Sequence, residues 1–306
     1  MVLIIGTGLG FVAYHQLNQG PVIHPTPVVR YLGVHEPTAP NTYTGVNQFA
    51  QNIGRQPNLV AYYSPWGYPF QPQFAAQAAQ HGAITLIQMD PKDVTLASIA
   101  AGRQDAYLRG YAAAVKAFGS RVVVSFAHEM NGNWYPWGNQ HTPAATFVAA
   151  WRHVVNVFRA TGASNVIWLW QVNIIDNSDP VHIPGPSPWW PGKSYVTWVG
   201  IDGYYYKSSS SFAEVFGPTV VAVRELTAAP ILIAETGADP AADQPAKVSD
   251  LFSGVRSYGL LGFVWFDEIA QGHAWRITSP AAFAAFRRGA RAFVRSSPIP
   301  AAQRSG

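Results

Sequence analysis

The chain of 306 residues contains no cysteine. That excludes a disulfide framework, a thiolate nucleophile and a Cys-ligated zinc or iron–sulfur centre. Charge is scarce as well, at 12% of residues. A disordered polar tail and a Glu/Lys-rich coiled coil are both ruled out, and the 48% of hydrophobic residues can bury a sizeable core. The net charge of +4 is mild, and no run of Lys and Arg interleaves with aromatics, so nucleic acid is not an expected partner. Long apolar runs are also missing. Val2 to Val12 is apolar, with Gly6, Gly8 and Gly10 inside it, but it is short for a spanning helix. It reads either as a signal-peptide core or trimmed membrane anchor, or as an unstructured end. Pro21, Pro25 and Pro27 follow as a linker. The expected organisation is a signal or anchor remnant with its linker over 1–27, one catalytic domain over 28–296, and a tail over 297–306.

Aromatic residues are abundant: 11 Trp, 14 Tyr and 16 Phe. Cores use some of them, and sugar-binding clefts use exposed Trp as stacking faces. After the linker the chain repeats one unit, a short apolar run followed by a helical pattern. The runs are Val28 to His35, Leu59 to Ser64, Ala83 to Met89, Arg121 to His128, Asn165 to Val172, Thr197 to Tyr204, Pro230 to Glu235 and Leu261 to Phe266. Near-continuous β-branched and apolar runs suit strands buried on both faces of a parallel sheet. Helical spacing is expected over Thr44 to Ile53, Phe74 to Gln80, Ile99 to Phe118, Pro143 to Thr161, Phe212 to Leu226, Ala246 to Tyr258 and Pro280 to Val294. Thr142 reads as the cap of the fourth of these, with Pro143 at its first position. Eight strands alternating with helices predict an α/β fold, a (β/α)8 TIM barrel. A doubly wound sheet is disfavoured, because no glycine-rich phosphate loop follows the first strand.

A barrel of this kind carries its active site at the C-terminal strand ends. The polar residues there are His35 and Glu36; Ser64 and Trp66; Gln88 and Asp90; His128 and Glu129; Gln171 and Asn173; Asp202 and Tyr204; Glu235; and Trp265, Asp267 and Glu268. Only 16 residues are acidic, and surface solvation alone would not gather so many on one rim. Glu129 and Glu235 each directly follow a buried apolar strand, where a carboxylate is costly unless it is paired, hydrogen-bonded or used. Two carboxylates across a cleft are the machinery of glycoside hydrolysis. Rim ion pairing is the alternative for each.

The run from His128 to Trp137, His-Glu-Met-Asn-Gly-Asn-Trp-Tyr-Pro-Trp, closely resembles the acid/base motif of glycoside hydrolase family 26. The likeness continues in Trp190-Pro191-Gly192, in Trp198 to Tyr204 and in Ile233 to Gly237, and covers roughly residues 28 to 290 in order. That family contains β-mannanases, with some members acting on mixed-linkage glucan or β-1,3-xylan. The resemblance implies a retaining mechanism with Glu129 as general acid/base and Glu235 as nucleophile, their carboxyl groups about 5 to 5.5 Å apart. It implies that Trp134 and Trp137 desolvate Glu129 and raise its pKa, while hydrogen bonds keep Glu235 anionic. It further implies that His128 binds sugar hydroxyls or orients its neighbour, that Tyr204 bonds the nucleophile, and that Asp202 ties that network together. Trp134 would contact the leaving-group sugar, and Trp265 would be the platform beneath the sugar at the cleavage point. For Trp137, Trp189 and Trp190, rim packing and sugar contact both stand. Two departures bear on the substrate: strand 3 ends in Gln88-Met89-Asp90-Pro91, and no arginine follows Trp265. The Pro-rich stretch from Ile174 to Pro191 is placed to cap one end of the cleft.

The expected partner is therefore a β-linked polysaccharide, β-1,4-mannan on family grounds, with mixed-linkage β-glucan and β-1,3-xylan as alternatives. A barrel that binds polysaccharide at a cell surface without cutting it is the reading from another class, and the Glu129–Glu235 pair argues against it. A metal-dependent hydrolase would want clustered His and Asp, whereas the nine His are dispersed. No metal and no cofactor is expected. A monomer, secreted or anchored at the cell surface, fits a polymer substrate.

Overall fold

The computed structural model of the protein describes residues 31–178, 182–270 and 272–293. The expected N-terminal remnant over 1–27 and the tail over 297–306 lie outside the described residues. Among the described residues eight parallel strands close into a barrel in chain order. They are β1 (Tyr31–His35), β2 (Leu59–Pro65), β3 (Ile84–Asp90), β4 (Val122–Phe126), β5 (Val166–Asn173), β6 (Trp198–Asp202), β7 (Ile231–Thr236) and β8 (Gly262–Phe266). Each forms from one of the apolar runs, and every residue of β1, β4, β6, β7 and β8 is buried. The barrel closes by pairing Tyr31 with Gly262 through His35 with Phe266. Closure needs glycine at 262: its φ is 150°, and a Cβ there would lie 1.9 Å from the Tyr31 carbonyl oxygen.

Helices cover the outside: α1 (Thr44–Ile53), α2 (Pro72–Gln80), α3 (Leu96–Ala100), α4 (Asp105–Phe118), α5 (Ala144–Thr161), α6 (Phe212–Leu226), α7 (Gln244–Ser257) and α8 (Pro280–Ala292). In α5 the residues Phe147, Trp151, Val154, Val155 and Phe158 form the buried stripe, and left-handed Gly162 stops the helix. Ser211 and Glu214 build a reciprocal capping box at the start of α6. Two expectations are corrected. The single helix over Ile99 to Phe118 is two, because Gly102, at φ 75°, turns the chain between α3 and α4. Pro143, not Thr142, caps α5; Thr142 instead donates its hydroxyl to the Pro136 carbonyl, 3.0 Å away.

Side chains alternate along each strand. Leu59, Ala61, Leu86, Val123, Leu169, Leu232 and Val264 fill the barrel interior as one cluster, separate from the larger layer between strands and helices. In β8 this sends Phe263 and Trp265 toward the helices, and Val264 and Phe266 inward. Among the described residues no helix is long and apolar enough to cross a membrane.

Candidate active site

Beyond β4 the chain leaves the barrel through a strained turn. Ala127 and Glu129, both non-glycine, take positive φ of 49° and 55°, and His128 sits between them. Neighbouring strand ends hold this turn: the Ala127 N–H bonds the Met89 carbonyl at 3.0 Å, and the Glu129 N–H bonds that of Gln171 at 2.9 Å. The rest of the motif supports it. Asn131 Nδ2 donates to the Asn173 carbonyl at 2.9 Å and to the Pro184 carbonyl at 3.1 Å, and its Oδ1 accepts from the Asn173 N–H. Trp137 is buried and donates from Nε1 to the His128 carbonyl at 2.7 Å, which settles it as packing. Gly132 is needed for closeness, since a Cβ there would meet the Trp134 ring at 2.3 Å.

The turn aims the Glu129 carboxyl at two donors: Trp134 Nε1 at 2.8 Å on Oε2, and Asn173 Nδ2 on Oε1. Burial pushes the Glu129 pKa up to about 7, with repulsion from Glu235 in the same direction. The charge on His128 and the two donated bonds oppose that rise. Glu235 arrives from β7, where the register slips against both neighbouring strands, a device that re-aims side chains. Tyr63 donates its hydroxyl to Oε2 at 2.5 Å, Gln88 Nε2 reaches the same oxygen at 3.3 Å, and Tyr204 donates to Oε1. Burial, and then the charge of Glu235, hold both phenols well above their ordinary pKa, so each remains a donor.

Glu129 and Glu235 line one cavity of about 540 Å³ with Tyr63, Trp134, Tyr204 and Trp275. Trp134 and Tyr206, 44% and 51% exposed, present aromatic surface at its mouth. Ile174, Asp176 and Ile183 bring the described parts of the Ile174 to Pro191 stretch to its edge.

Three expected site residues do not line the cavity. Trp265 is no platform: strand alternation turns it outward, fully buried against Phe286 of α8, with Nε1 on the Trp275 carbonyl at 3.2 Å. The tryptophan that lines the cavity beside Trp134 is Trp275. It follows the short antiparallel pair β9 (Ile269–Ala270) and β10 (His273–Ala274), and its ring lies 4.4 Å from that of Tyr204. Arg276 follows it directly, so the absence of an arginine after Trp265 carries no weight. His128 is buried behind the cavity wall and pairs with Asp90, so it does not reach a sugar directly. Asp202 backs the site from β6: it accepts from Gln171 Nε2 at 2.8 Å and pairs in register with Glu235. Burial, then the charges of Glu235 and Glu129, hold its carboxyl well above the usual range.

Tyr63 and Trp275 escaped sequence reasoning. Alternation from Leu59 through Ala61 was the available signal for Tyr63. The two-residue strands ahead of Trp275 carry no periodicity.

A carboxyl poised to give up a proton beside a hydroxyl-cradled carboxylate, at the mouth of a (β/α)8 barrel, defines the class of glycoside hydrolase barrels. Comparison with known proteins places the chain within that class. Residues 106–250 match the family model described as glycosyl hydrolase family 26. That stretch, just under half of the chain, is similar to this family. The chain is 31% identical over 261 residues, 80% of its length, to Endoglucanase H of Acetivibrio thermocellus, of which it spans 28%. It is 31% identical over 94 residues to the mannan endo-1,4-β-mannosidase A and B of Caldalkalibacillus mannanilyticus, covering 28% of this chain and 17% of that protein. The chain thus spans under a third of the length of these curated relatives. Its fold is similar to the structure of a family 26 β-mannanase from Bacteroides ovatus, with a TM-score of 0.68 at 16% identity over 87% of this chain and 89% of that one.

Proposed function

We propose that the protein is a retaining endo-β-glycanase acting on β-1,4-mannan. The observation that carries this reading is the contrast between the two glutamates in one cavity. Glu129 is held proton-bearing up to about pH 7 by burial, whereas three donors converge on Glu235. Glu129 gives its proton to the glycosidic oxygen as that bond breaks, and a Glu235 oxygen bonds the anomeric carbon. Water then gives a proton to Glu129 and its oxygen to the anomeric carbon, and the ester to Glu235 breaks. Trp134 and Tyr206 offer exposed aromatic faces to pyranose rings, and Trp275 lines the cavity wall with little exposed surface. Such a polymer is met outside the cell, which supports a location there or at the cell surface.

A second reading, a β-glucan as the substrate, with the mixed-linkage polymer as its test case, is favoured by the extent of the likeness to Endoglucanase H. Product release from purified β-mannan, glucomannan, mixed-linkage β-glucan and β-1,3-xylan, with Glu235→Ala as control, tests both. Cleavage of β-mannan that disappears in Glu235→Ala is expected. Cleavage confined to the glucan replaces the first reading by the second, and unchanged cleavage in Glu235→Ala contradicts the mechanism.

A further inference from the structure

We propose that Asp90, His128 and Tyr135 form a relay that fixes the Tyr135 hydroxyl as a hydrogen-bond donor to a sugar hydroxyl in the cleft. This rests on reading the cleft as a glycan site. Asp90, at the end of β3, is buried with Oδ1 3.1 Å from His128 Nδ1, and Lys92 Nζ lies 3.7 Å from its other oxygen. The far nitrogen of His128, Nε2, is 3.1 Å from the Tyr135 hydroxyl. Tyr135 is held in place by stacking on Trp137, with ring centroids 4.4 Å apart and planes 13° apart, and it lines the cavity.

The direction of the second bond decides what Tyr135 offers. Burial works against charge on His128, but Asp90 foremost, then Glu129 and Glu235, outweigh it and lift the pKa to about 9. The groups facing the ring are Asp90 from β3, Tyr63 from β2, Glu129 and Tyr135 from its own turn, and Glu235 from β7. As an imidazolium His128 carries a proton on both nitrogens, Nδ1 in an ion pair with the Asp90 carboxylate and Nε2 donating to Tyr135. The Tyr135 oxygen therefore accepts, and its own proton has no protein acceptor among the described residues. It is left for the cleft, where sugar hydroxyls supply acceptors. A neutral His128, protonated on Nδ1 toward residue 90, would accept from Tyr135 and draw that proton inward.

The test uses Asp90→Asn, Tyr135→Phe and the double variant. Asparagine keeps an acceptor for Nδ1–H but removes the charge. Each single variant is expected to lose about 10-fold in kcat/KM on β-mannan or mixed-linkage β-glucan, the scale of one hydrogen bond. The double variant is expected to lose no more than either single one. Multiplying losses, or a Tyr135→Phe variant that keeps full kcat/KM, would overturn the relay. A second readout does not need catalysis: the ¹⁵N spectrum of histidine-labelled protein, with His128 assigned by its loss in His128→Gln. At pH 7.5, His128 is expected doubly protonated in wild type and in Tyr135→Phe, and singly protonated in Asp90→Asn. A neutral His128 in wild type overturns the relay whatever the enzyme cuts. If wild type cuts neither polymer, the hydrolytic reading fails alone. Affinity electrophoresis on the same polymers then replaces kinetics, and unchanged binding by Tyr135→Phe overturns the relay.

Discussion

Glu129 shows how one side chain acquires a working pKa from its surroundings. Burial is the largest influence, and it raises the pKa to about 7 against the donated bonds of Trp134 and Asn173. The charge of His128 also works against burial, and that of Glu235 works with it. As the proposed general acid, Glu129 must hold its proton, so kcat/KM is expected to be sustained up to about pH 7 and to fall above it. Trp134→Phe keeps a ring over the carboxyl but removes a donor that favours its ionised form. The alkaline limb of the pH–rate profile should therefore move to higher pH in that variant. A limb that stays in place or moves down would show that the Trp134 bond does not set the acid. Glu129, Glu235 and Tyr204 were legible in the sequence because each stands at the end of an apolar run and within a family motif. The cradle partner Tyr63 was not, because it lies two residues inside the end of its strand, where only the inward or outward parity separates a site residue from a packing residue.

At the scale of elements that parity is the deciding quantity. A strand displaces successive side chains to opposite faces, so in β8 Phe266 looks into the barrel and Trp265 into the helix layer. The expectation for Trp265 came from its place in the motif order and missed this. Trp265→Ala should therefore cost stability, about 3–5 kcal/mol as for a buried aromatic, with KM on the preferred polymer nearly unchanged. Trp275→Ala, which also removes a buried ring, should cost comparable stability, but because Trp275 lines the cavity it should raise KM as well. Equal effects on KM would contradict the assignment of the two rings. All eight strand runs were legible, since five of the strands are buried at every residue and read as continuous apolar segments. Helix breaks were less so: Gly102 lies inside an apolar periodicity that continues on both sides, and only its positive φ ends the first helix.

For the molecule as a whole, several buried groups bind protons more tightly in the folded chain than in the unfolded one. Glu129 is raised to about 7 and Asp267 to about 6, each mainly by burial. Asp202 is raised well above 3.8 by burial, and His128 is raised to about 9 by Asp90 despite its burial. A raised folded pKa contributes stability that is complete below the unfolded value and is lost as pH rises through the folded one. For Glu129 and Asp267 that loss begins near pH 4–5 and runs to about 7, with Asp202 acting in the same direction; for His128 it runs from about 6.5 to 9. The lowered carboxyls of Asp105, Glu214 and Asp239 act only below that window. Tm is therefore expected to fall steadily from pH 5 to pH 9, read by scanning calorimetry. A flat or rising Tm would mean that these groups are not buried as described.

The proposed double displacement at Glu235 has one signature that an inverting hydrolysis does not share, the configuration of the sugar at the moment of release. Proton NMR of the first product from the polymer that the enzyme cuts fastest, recorded before mutarotation, reads it directly. The β-anomer appearing first is the expected result. The α-anomer appearing first would mean that water, not Glu235, attacks the anomeric carbon.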